Sequence, residues 1–230
     1  MSRRSWLCAV VTLCVTCPVL PGQQAAPEGA PAVVQPGAPG HANKILTPET
    51  TGLHLMPPTV ADTQFMQGMI MHHGQAVEMT DLVRTHSHDP KVLEIGRRIS
   101  VSQTSEMAFM RLWLTDRGLP IDDPNMDGMA GMDMKANPNM DMDDMAPMPG
   151  MLTPRQMAAL RKASGREFDK LFLTGMIQHH GGALTMVRDL FNQPGAGQDA
   201  TLFDFANDVD NTQTAEIDMM KKVLKTEKLL

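Results

Sequence analysis

The sequence predicts an all-α protein, a four-helix bundle made from a duplicated helix pair. Three observations predict it. Four long segments have a helical apolar period with no competing strand pattern, the second two repeat the first two, and a long connection joins the two copies. Two helix pairs joined by a long crossover pack most naturally as a four-helix bundle.

Capping and breaking residues set the expected helix ends. Thr59 is a suitable N-cap for the first helix, and Gly118 and Pro120 end the second. Thr153 caps a short helix with Pro154 at its first position. The expected helices cover about residues 59–84, 90–116, 154–165, 166–192 and 199–224.

The repeat becomes visible when Phe65 is placed over Phe172. Nine identities then fall in about fifteen positions without a gap. They are Phe65, Gly68, Met69, Ile70, His72, His73, Gly74, Ala76 and Met79 over Phe172, Gly175, Met176, Ile177, His179, His180, Gly181, Ala183 and Met186. In the helices that follow, Gln103, Glu106, Met110 and Leu114 align with Gln213, Glu216, Met220 and Leu224.

The N-terminus predicts export to the periplasm or outside the cell. A charged start and a short apolar run indicate a signal peptide over 1–22, with a retained N-terminal anchor as the alternative, followed by a Pro/Gly/Ala-rich flexible linker over 23–58. One helical domain should occupy 59–230, divided into a first pair (59–119), a loop (120–152) and a second pair (153–230). No membrane contact beyond the signal is expected.

Composition limits the partners and the metal ligands that the chain can use. The net charge of -6 argues against nucleic acid as a partner, because phosphate binding needs a basic face. The cysteines, Cys8, Cys14 and Cys17, all lie in the signal, so the exported chain would have no thiol. Any soft-metal binding must then fall to histidine and to the 22 methionines.

Helical phasing places each His-His doublet beside an apolar seam. Glu106 and Glu216 lie on apolar faces of the neighbouring helices, where an unpartnered carboxylate would cost several kcal/mol (about 3–5). A histidine of the adjacent helix is the expected partner. One interpretation is a metal-free bundle organised by two buried His–Glu pairs.

The other interpretation is a metal site at the doublets. A methionine stands four residues before the second histidine of each doublet, so thioether and imidazole share one helix face. This pairing suits Cu(I), and Ag(I) by similar softness, whereas imidazole with carboxylate would suit Zn(II), Cu(II) or Fe(II). The candidate ligands are Met69, His72, His73, Met176, His179, His180, Glu106 and Glu216.

The loop has no apolar period, so its methionines are not expected in a core. Met126, Met129, Met132 and Met134 are spaced two or three apart on flexible backbone and are further candidate copper ligands. The alternative is a solvated linker whose methionines absorb oxidation.

These motifs resemble the ferritin-like domain of unknown function family numbered 305. The resemblance is carried by Asp62-x-x-Phe65-Met66-x-x-Met69-Ile70-x-His72-His73, by Gln103-x-x-Glu106-Met107, and by Phe168-Asp169-x-x-Phe172-Leu173-x-x-Met176-Ile177-x-His179-His180. It implies an exported ferritin-like four-helix bundle and copper or silver binding, because some members are periplasmic copper-binding proteins. The Met-rich insertion resembles the methionine motifs of copper-resistance proteins.

One departure from internal symmetry suggests unequal sites. Gly182, Leu184 and Thr185 stand in the second half where the first has Gln75, Val77 and Glu78.

The leading hypothesis is therefore a binding protein rather than an enzyme. It would sequester or carry copper, exchange it with other copper-handling proteins, and use no organic cofactor. The enzymatic alternative is a ferritin-like metal oxidase. Such dinuclear sites usually draw on Glu-x-x-His motifs, whereas the repeated pattern here supplies only Glu106 and Glu216 and no Glu-x-x-His.

Overall fold

The computed structural model describes residues 33–35, 42–46, 57–122 and 146–229, and its contacts divide the chain into two units, 1–54 and 55–230. The predicted signal peptide and most of the predicted linker lie outside the described residues. In the second unit the predicted all-α fold is confirmed. Its helices are α1 (Val60–His86), α2 (Pro90–Asp116), α3 (Pro154–Lys162), α4 (Gly165–Asn192) and α5 (Ala200–Thr226).

The first unit contains a short element that the sequence analysis did not predict. Strands β1 (Val33–Gln35) and β2 (Lys44–Leu46) pair antiparallel, with Val34 opposite Ile45. They fall within the segment 23–58, which we expected to be a flexible linker. Three-residue strands are too short to produce an alternating pattern, although their β-branched residues favour extended backbone.

The helix starts follow the predicted caps. Thr59 and Asp62 form a reciprocal capping box, with 3.0 Å from the Asp62 amide to the Thr59 hydroxyl and 2.8 Å from the Thr59 amide to the Asp62 carboxylate. Thr153 and Gln156 repeat this arrangement at α3. The helix ends agree with the predicted ones to within three residues.

The four long helices form a bundle in which α1 pairs with α2, α4 pairs with α5, and α1 packs on α4. Two apolar clusters fill it. The first combines residues 65–70 of α1 and 107–114 of α2 with residues 183–190 of α4 and 202–209 of α5. The second combines the opposite ends of these helices with α3. Since the start of α1 shares a cluster with the end of α4, these two helices run antiparallel.

A layer of polar side chains separates the two clusters. On every long helix it occupies the positions between the residues of one cluster and those of the other. We call it the polar layer, and it consists of His72, His73, Gln103, Glu106, His179, His180, Gln213 and Glu216.

No helix in the described ranges is long and apolar enough to cross a membrane.

The bundle's stability should depend on the fully buried Phe172. Replacing it with Ala should lower the free energy of unfolding by about 3–5 kcal/mol, because the ring leaves a cavity in the second cluster. Urea denaturation of the full chain measures this. Phe203→Ala is the control, since Phe203 is 49% exposed and should cost far less. Equal losses in the two variants would contradict the assignment of the core.

Candidate metal centre

Each half of the polar layer contains a His–Glu pair in which the histidine is buried and the glutamate is partly shielded from solvent. His73 on α1 lies with its Nε2 2.6 Å from Oε2 of Glu106 on α2. His180 on α4 lies with its Nε2 2.7 Å from Oε2 of Glu216 on α5. Both rings are fully buried, so the histidine partner that phasing predicted for each carboxylate is present.

The other two histidines meet across the α1/α4 interface. The ring centroids of His72 and His179 are 3.8 Å apart, with the planes tilted by 39°. Nε2 of His72 donates to the Pro149 carbonyl at 3.0 Å, and Nε2 of His179 donates to the His72 carbonyl at 2.8 Å. A carbonyl only accepts, so these contacts fix both rings in the Nε2–H tautomer.

The second ring nitrogen is left without a partner in all four histidines. Eight buried side-chain N or O atoms within the described residues have no hydrogen-bond partner, and seven of them belong to the polar layer. Four of the seven are the Nδ1 atoms of His72, His73, His179 and His180. Such atoms are rare in folded proteins, and a group of them marks a place where a ligand would supply the missing interaction.

Burial determines the charge of the central histidines. Desolvation lowers the pKa of His72 from 6.5 to about 3, although its bond to the Pro149 carbonyl opposes the shift. Desolvation likewise lowers the pKa of His179 well below its usual value, and the nearby His72 and His180 add to this. Both rings are therefore neutral at pH 7, and each Nδ1 carries a lone pair.

Glu106 stays ionised. Burial by itself would raise the pKa of its carboxyl group, but the hydrogen bond that it accepts from His73 outweighs this effect, with help from the Ser102 hydroxyl. The net effect is a pKa below the ordinary value of 4.5. The Ser102 hydroxyl donates to Oε1 at 2.6 Å, so both carboxylate oxygens of Glu106 accept hydrogen bonds.

The two core methionines lie on opposite sides of the polar layer. Met69 is fully buried in the first apolar cluster, and Met176 is fully buried in the second. Each is four residues from the His–Glu histidine of its own helix, as the sequence indicated. The structure thus brings the four histidines and two glutamates into one layer and places one thioether in the cluster on either side.

Sequence reasoning missed two members of the polar layer. Gln103 and Gln213 are only 1% exposed, and both amide oxygens lack a partner, as does the Gln213 nitrogen. They stand three residues before Glu106 and Glu216, at matching places in the repeat. That match was the available signal, because an apolar-face position that keeps a polar amide in both halves indicates a shared role.

The asymmetry noted in the sequence has a structural cause. Where the first half has Gln75, the second has Gly182, and a Cβ on Gly182 would lie 1.9 Å from the Pro149 carbonyl oxygen. Gln75 in turn exchanges two hydrogen bonds with the Leu152 backbone, at 3.0 and 2.6 Å. The segment before α3 therefore crosses the α1/α4 interface, and the two halves differ there in order to hold it.

Met126, Met129, Met132 and Met134 lie outside the described residues. Within the described ranges, no three His, Cys, Asp or Glu side chains form a ready-made metal site. This absence concerns those four residue types and does not include the thioether sulfur of methionine, which is a further type of metal ligand.

The fold and its central layer define a class: a helical bundle crossed by a buried, repeat-related layer of histidine and glutamate. The model of one family, a domain of unknown function (DUF305), matches residues 62–224. The chain belongs to the DUF305 family.

Solved structures with this fold include a DUF305 protein from Streptomyces coelicolor that is described as a secreted-protein candidate. It is 26% identical to this chain, with a TM-score of 0.59, and the match covers 72% of this chain and 93% of that one. CopM in its Cu(II)-bound form is 25% identical, with a TM-score of 0.53, over 72% of this chain and 96% of CopM. CopM has also been solved with Cu(I) and with silver bound.

A curated relative matches a shorter stretch. The uncharacterized protein L153 of Acanthamoeba polyphaga mimivirus is 32% identical over 60 residues, which is 26% of this chain and 40% of that protein. The match thus spans less than half of the relative's length.

The neutral state of the buried histidines predicts acid sensitivity of the metal-free protein. Below pH 6.5 the unfolded chain takes up a proton at His72 that the folded chain resists down to about pH 3, so stability falls as pH falls through this window. The lowered pKa of Glu106 acts in the same direction, because its stabilising contribution is lost as the carboxylate is protonated.

His72→Gln should therefore flatten the acid limb by up to about 1.4 kcal/mol per pH unit. Urea denaturation between pH 7.5 and pH 4, in the presence of a chelator, measures the slope. His88→Gln, at an exposed position, should keep the wild-type slope. An unchanged slope in the His72 variant would show that this ring is already protonated in the folded state.

Proposed function

We propose that this protein is an extracytoplasmic metal-binding protein that sequesters or carries copper, with Cu(I) favoured and Ag(I) bound by similar softness. The core ligands would come from His72, His73, His179 and His180, with Met69 and Met176 as soft donors and Glu106 and Glu216 as supports. The observation that carries the proposal is the set of four buried Nδ1 atoms without a partner.

The hydrogen bonds of the four rings fit this role. A metal-bound histidine usually donates its other ring N–H to a carboxylate or a backbone carbonyl, which orients the ring and raises its basicity. All four buried histidines make such a contact through Nε2, two to glutamates and two to carbonyls. This leaves Nδ1 as the atom available to bind metal in each ring.

The choice of copper rests on the donor types. Neutral imidazole and thioether are the soft and borderline ligands that favour Cu(I) over hard cations. In this proposal the glutamates act through the histidines rather than on the metal, since the oxygen nearest each ring is already hydrogen-bonded. The predicted methionine loop, with Met126, Met129, Met132 and Met134, would act as a low-specificity collector.

The comparisons support the same assignment. CopM shares the fold at 25% identity and binds copper in its solved structure, and the secreted-protein candidate of the family agrees with export. Our proposal is accordingly a binding protein rather than an enzyme. We extend copper binding, export and exchange with other copper-handling proteins to this chain as part of the proposal.

A metal-free structural bundle is the second candidate, and the two His–Glu pairs favour it. These pairs satisfy buried carboxylates and join α1 to α2 and α4 to α5 without any metal. That interpretation leaves the four Nδ1 atoms and the two glutamine amides unexplained, because a purely structural layer gains nothing from polar atoms without partners. Copper binding accounts for the Nδ1 atoms.

Replacement of His72 and His73 together with Ala tests the core site. We expect the full chain to retain fewer Cu(I) ions, or to bind them at least roughly tenfold more weakly, as measured by calorimetry and competition with a Cu(I) chelator. His88→Ala is the matched control, because His88 is exposed and lies outside the polar layer. Unaltered stoichiometry and affinity in the double variant would refute the core site.

Two further variants separate the core from the loop and guard against misfolding. Met69→Leu with Met176→Leu nearly conserves volume, so the bundle should fold while losing both thioethers. Leu at Met126, Met129, Met132 and Met134 removes the loop donors and should leave the tightest copper in place. If the loop variant instead loses all copper, the site belongs to the loop. Circular dichroism confirms that each variant is helical.

A further inference from the structure

A tight turn precedes α3 and lies over the polar layer. We call residues 148–152 the strap. Its Met151 amide donates to the Met148 carbonyl at 3.1 Å, and Gly150 has a φ of +75°. Pro149 and Gly150 therefore occupy the two central positions of a turn that requires left-handed backbone at the second.

Two glycines seat the strap against α4, backbone to backbone. A Cβ on Gly182 would lie 1.9 Å from the Pro149 carbonyl oxygen, and a Cβ on Gly150 would lie 2.5 Å from the Gly182 Cα. Real side chains do not approach so closely, so the contact exists only because neither residue has one. Gly181, the neighbour of Gly182, has open space where its Cβ would be.

Two glutamines hold the strap on both sides of the interface. Gln75 on α1 accepts from the Leu152 amide at 2.6 Å and donates to the Leu152 carbonyl at 3.0 Å. Gln178 on α4 donates to the carbonyls of Gly150 and Met151 at 3.3 and 3.2 Å. The repeat partner of Gln178 is Met71, so this contact is absent from the first half.

The strap also makes the hydrogen bond that fixes His72. Its Pro149 carbonyl accepts from Nε2 of the fully buried His72, while Pro149 itself is exposed to solvent. Met151 and Leu152 are buried and anchor one end, whereas residues 148–150 are half-buried or exposed. The turn 148–150 is therefore the least buried part of the strap, and through Pro149 it lies between solvent and the His72–His179 pair. The expectation that no methionine of the loop 120–152 lies in a core is wrong for Met151, because the chain has already turned onto the bundle at this point.

We propose that the strap is the cover of the metal centre, and that metal reaches the histidines when the turn 148–150 lifts from Gly182. Gln75, Gln178 and Gly182 are positioning residues: they hold the cover closed, and with it the Nε2–H tautomer that leaves Nδ1 of His72 free. This rests on the proposed copper-binding function and adds the route of access and the residues that regulate it.

Gly182→Ala tests the cover, with Gly181→Ala as its matched control. Both substitutions add one methyl group to the same turn of α4, but only the first collides with the strap. In the full chain carrying Leu at Met126, Met129, Met132 and Met134, we expect Gly182→Ala to take up Cu(I) from a chromogenic chelator roughly tenfold faster or more. Gly181→Ala should stay within about twofold of its parent.

A second readout uses no metal. Diethyl pyrocarbonate acylates accessible imidazoles, and mass spectrometry locates the modified residues. In the metal-free protein, Gly182→Ala should raise the modification rate of His72 about tenfold or more, while exposed His88 keeps its rate and serves as an internal standard. Gln75→Ala with Gln178→Ala should act in the same direction without adding volume, and exposed Gln64→Ala should not.

The outcomes distinguish the cover from the function. Equal uptake and equal His72 modification in the Gly182 and Gly181 variants overturn the cover. So does slower uptake in the Gly182 variant, which would mean that the strap helps to deliver metal. If Gly182→Ala fails to fold, the paired glutamine variant decides by the same criteria. If no copper binds the buried histidines, the proposed function fails, but the His72 modification rate still decides whether the strap covers them.

Discussion

The bundle is organised by the need to partner buried charge. Glu106 and Glu216 lie in the polar layer, largely shielded from solvent, and each is partnered by a histidine of the neighbouring helix. A carboxylate displaced by one helical turn towards the C-terminus of its helix would stand at the position of Met110 or Met220, would face an apolar cluster, and would lose its hydrogen bond. The two pairs therefore fix the register of α1 against α2 and of α4 against α5.

Because the helix pair is duplicated, the bundle contains two such His–Glu pairs, and together they form the polar layer. The repeat places a second His–Glu pair opposite the first and brings His72 and His179 into contact at the centre. The His179 ring donates a hydrogen bond to the His72 backbone carbonyl, and burial keeps both rings uncharged. The resulting layer has more polar atoms than its own members can satisfy, and this surplus is what makes it a candidate ligand site rather than only a structural joint.

Much of the fold and part of the site could be predicted from the sequence. The helical apolar period, the capping residues and the repeat predicted the five helices. The positions of Glu106 and Glu216 on apolar helix faces predicted that each pairs with a histidine. The contact of His72 with His179 depends on how α1 packs against α4, and the apolar period of a single helix does not determine that packing. The strap was also missed, because its turn follows a segment without period and its contacts reach residues about 30 and 77 positions away.

The glutamines and the strands show two further limits. Gln103 and Gln213 were used only to align the repeat, since an amide on an apolar face does not demand a partner as strongly as a carboxylate does. Strands β1 and β2 are three residues each, below the length at which alternation can be distinguished from chance. The four-residue spacing predicted that Met69 and Met176 share a helix face with a histidine, but it did not reveal that the two methionines lie in different clusters.

The central claim is that all four buried histidines present a free Nδ1 to the metal. Nitrogen-15 NMR of histidine-labelled protein tests it most directly, because the two ring nitrogens of each tautomer have distinct shifts, and Cu(I) and Ag(I) are both diamagnetic. Our account predicts the Nε2–H form for His72 and His179 without metal, and Nδ1 shifts among the four buried rings when Cu(I) or Ag(I) is added. Metal binding that leaves every buried Nδ1 resonance unchanged would contradict it.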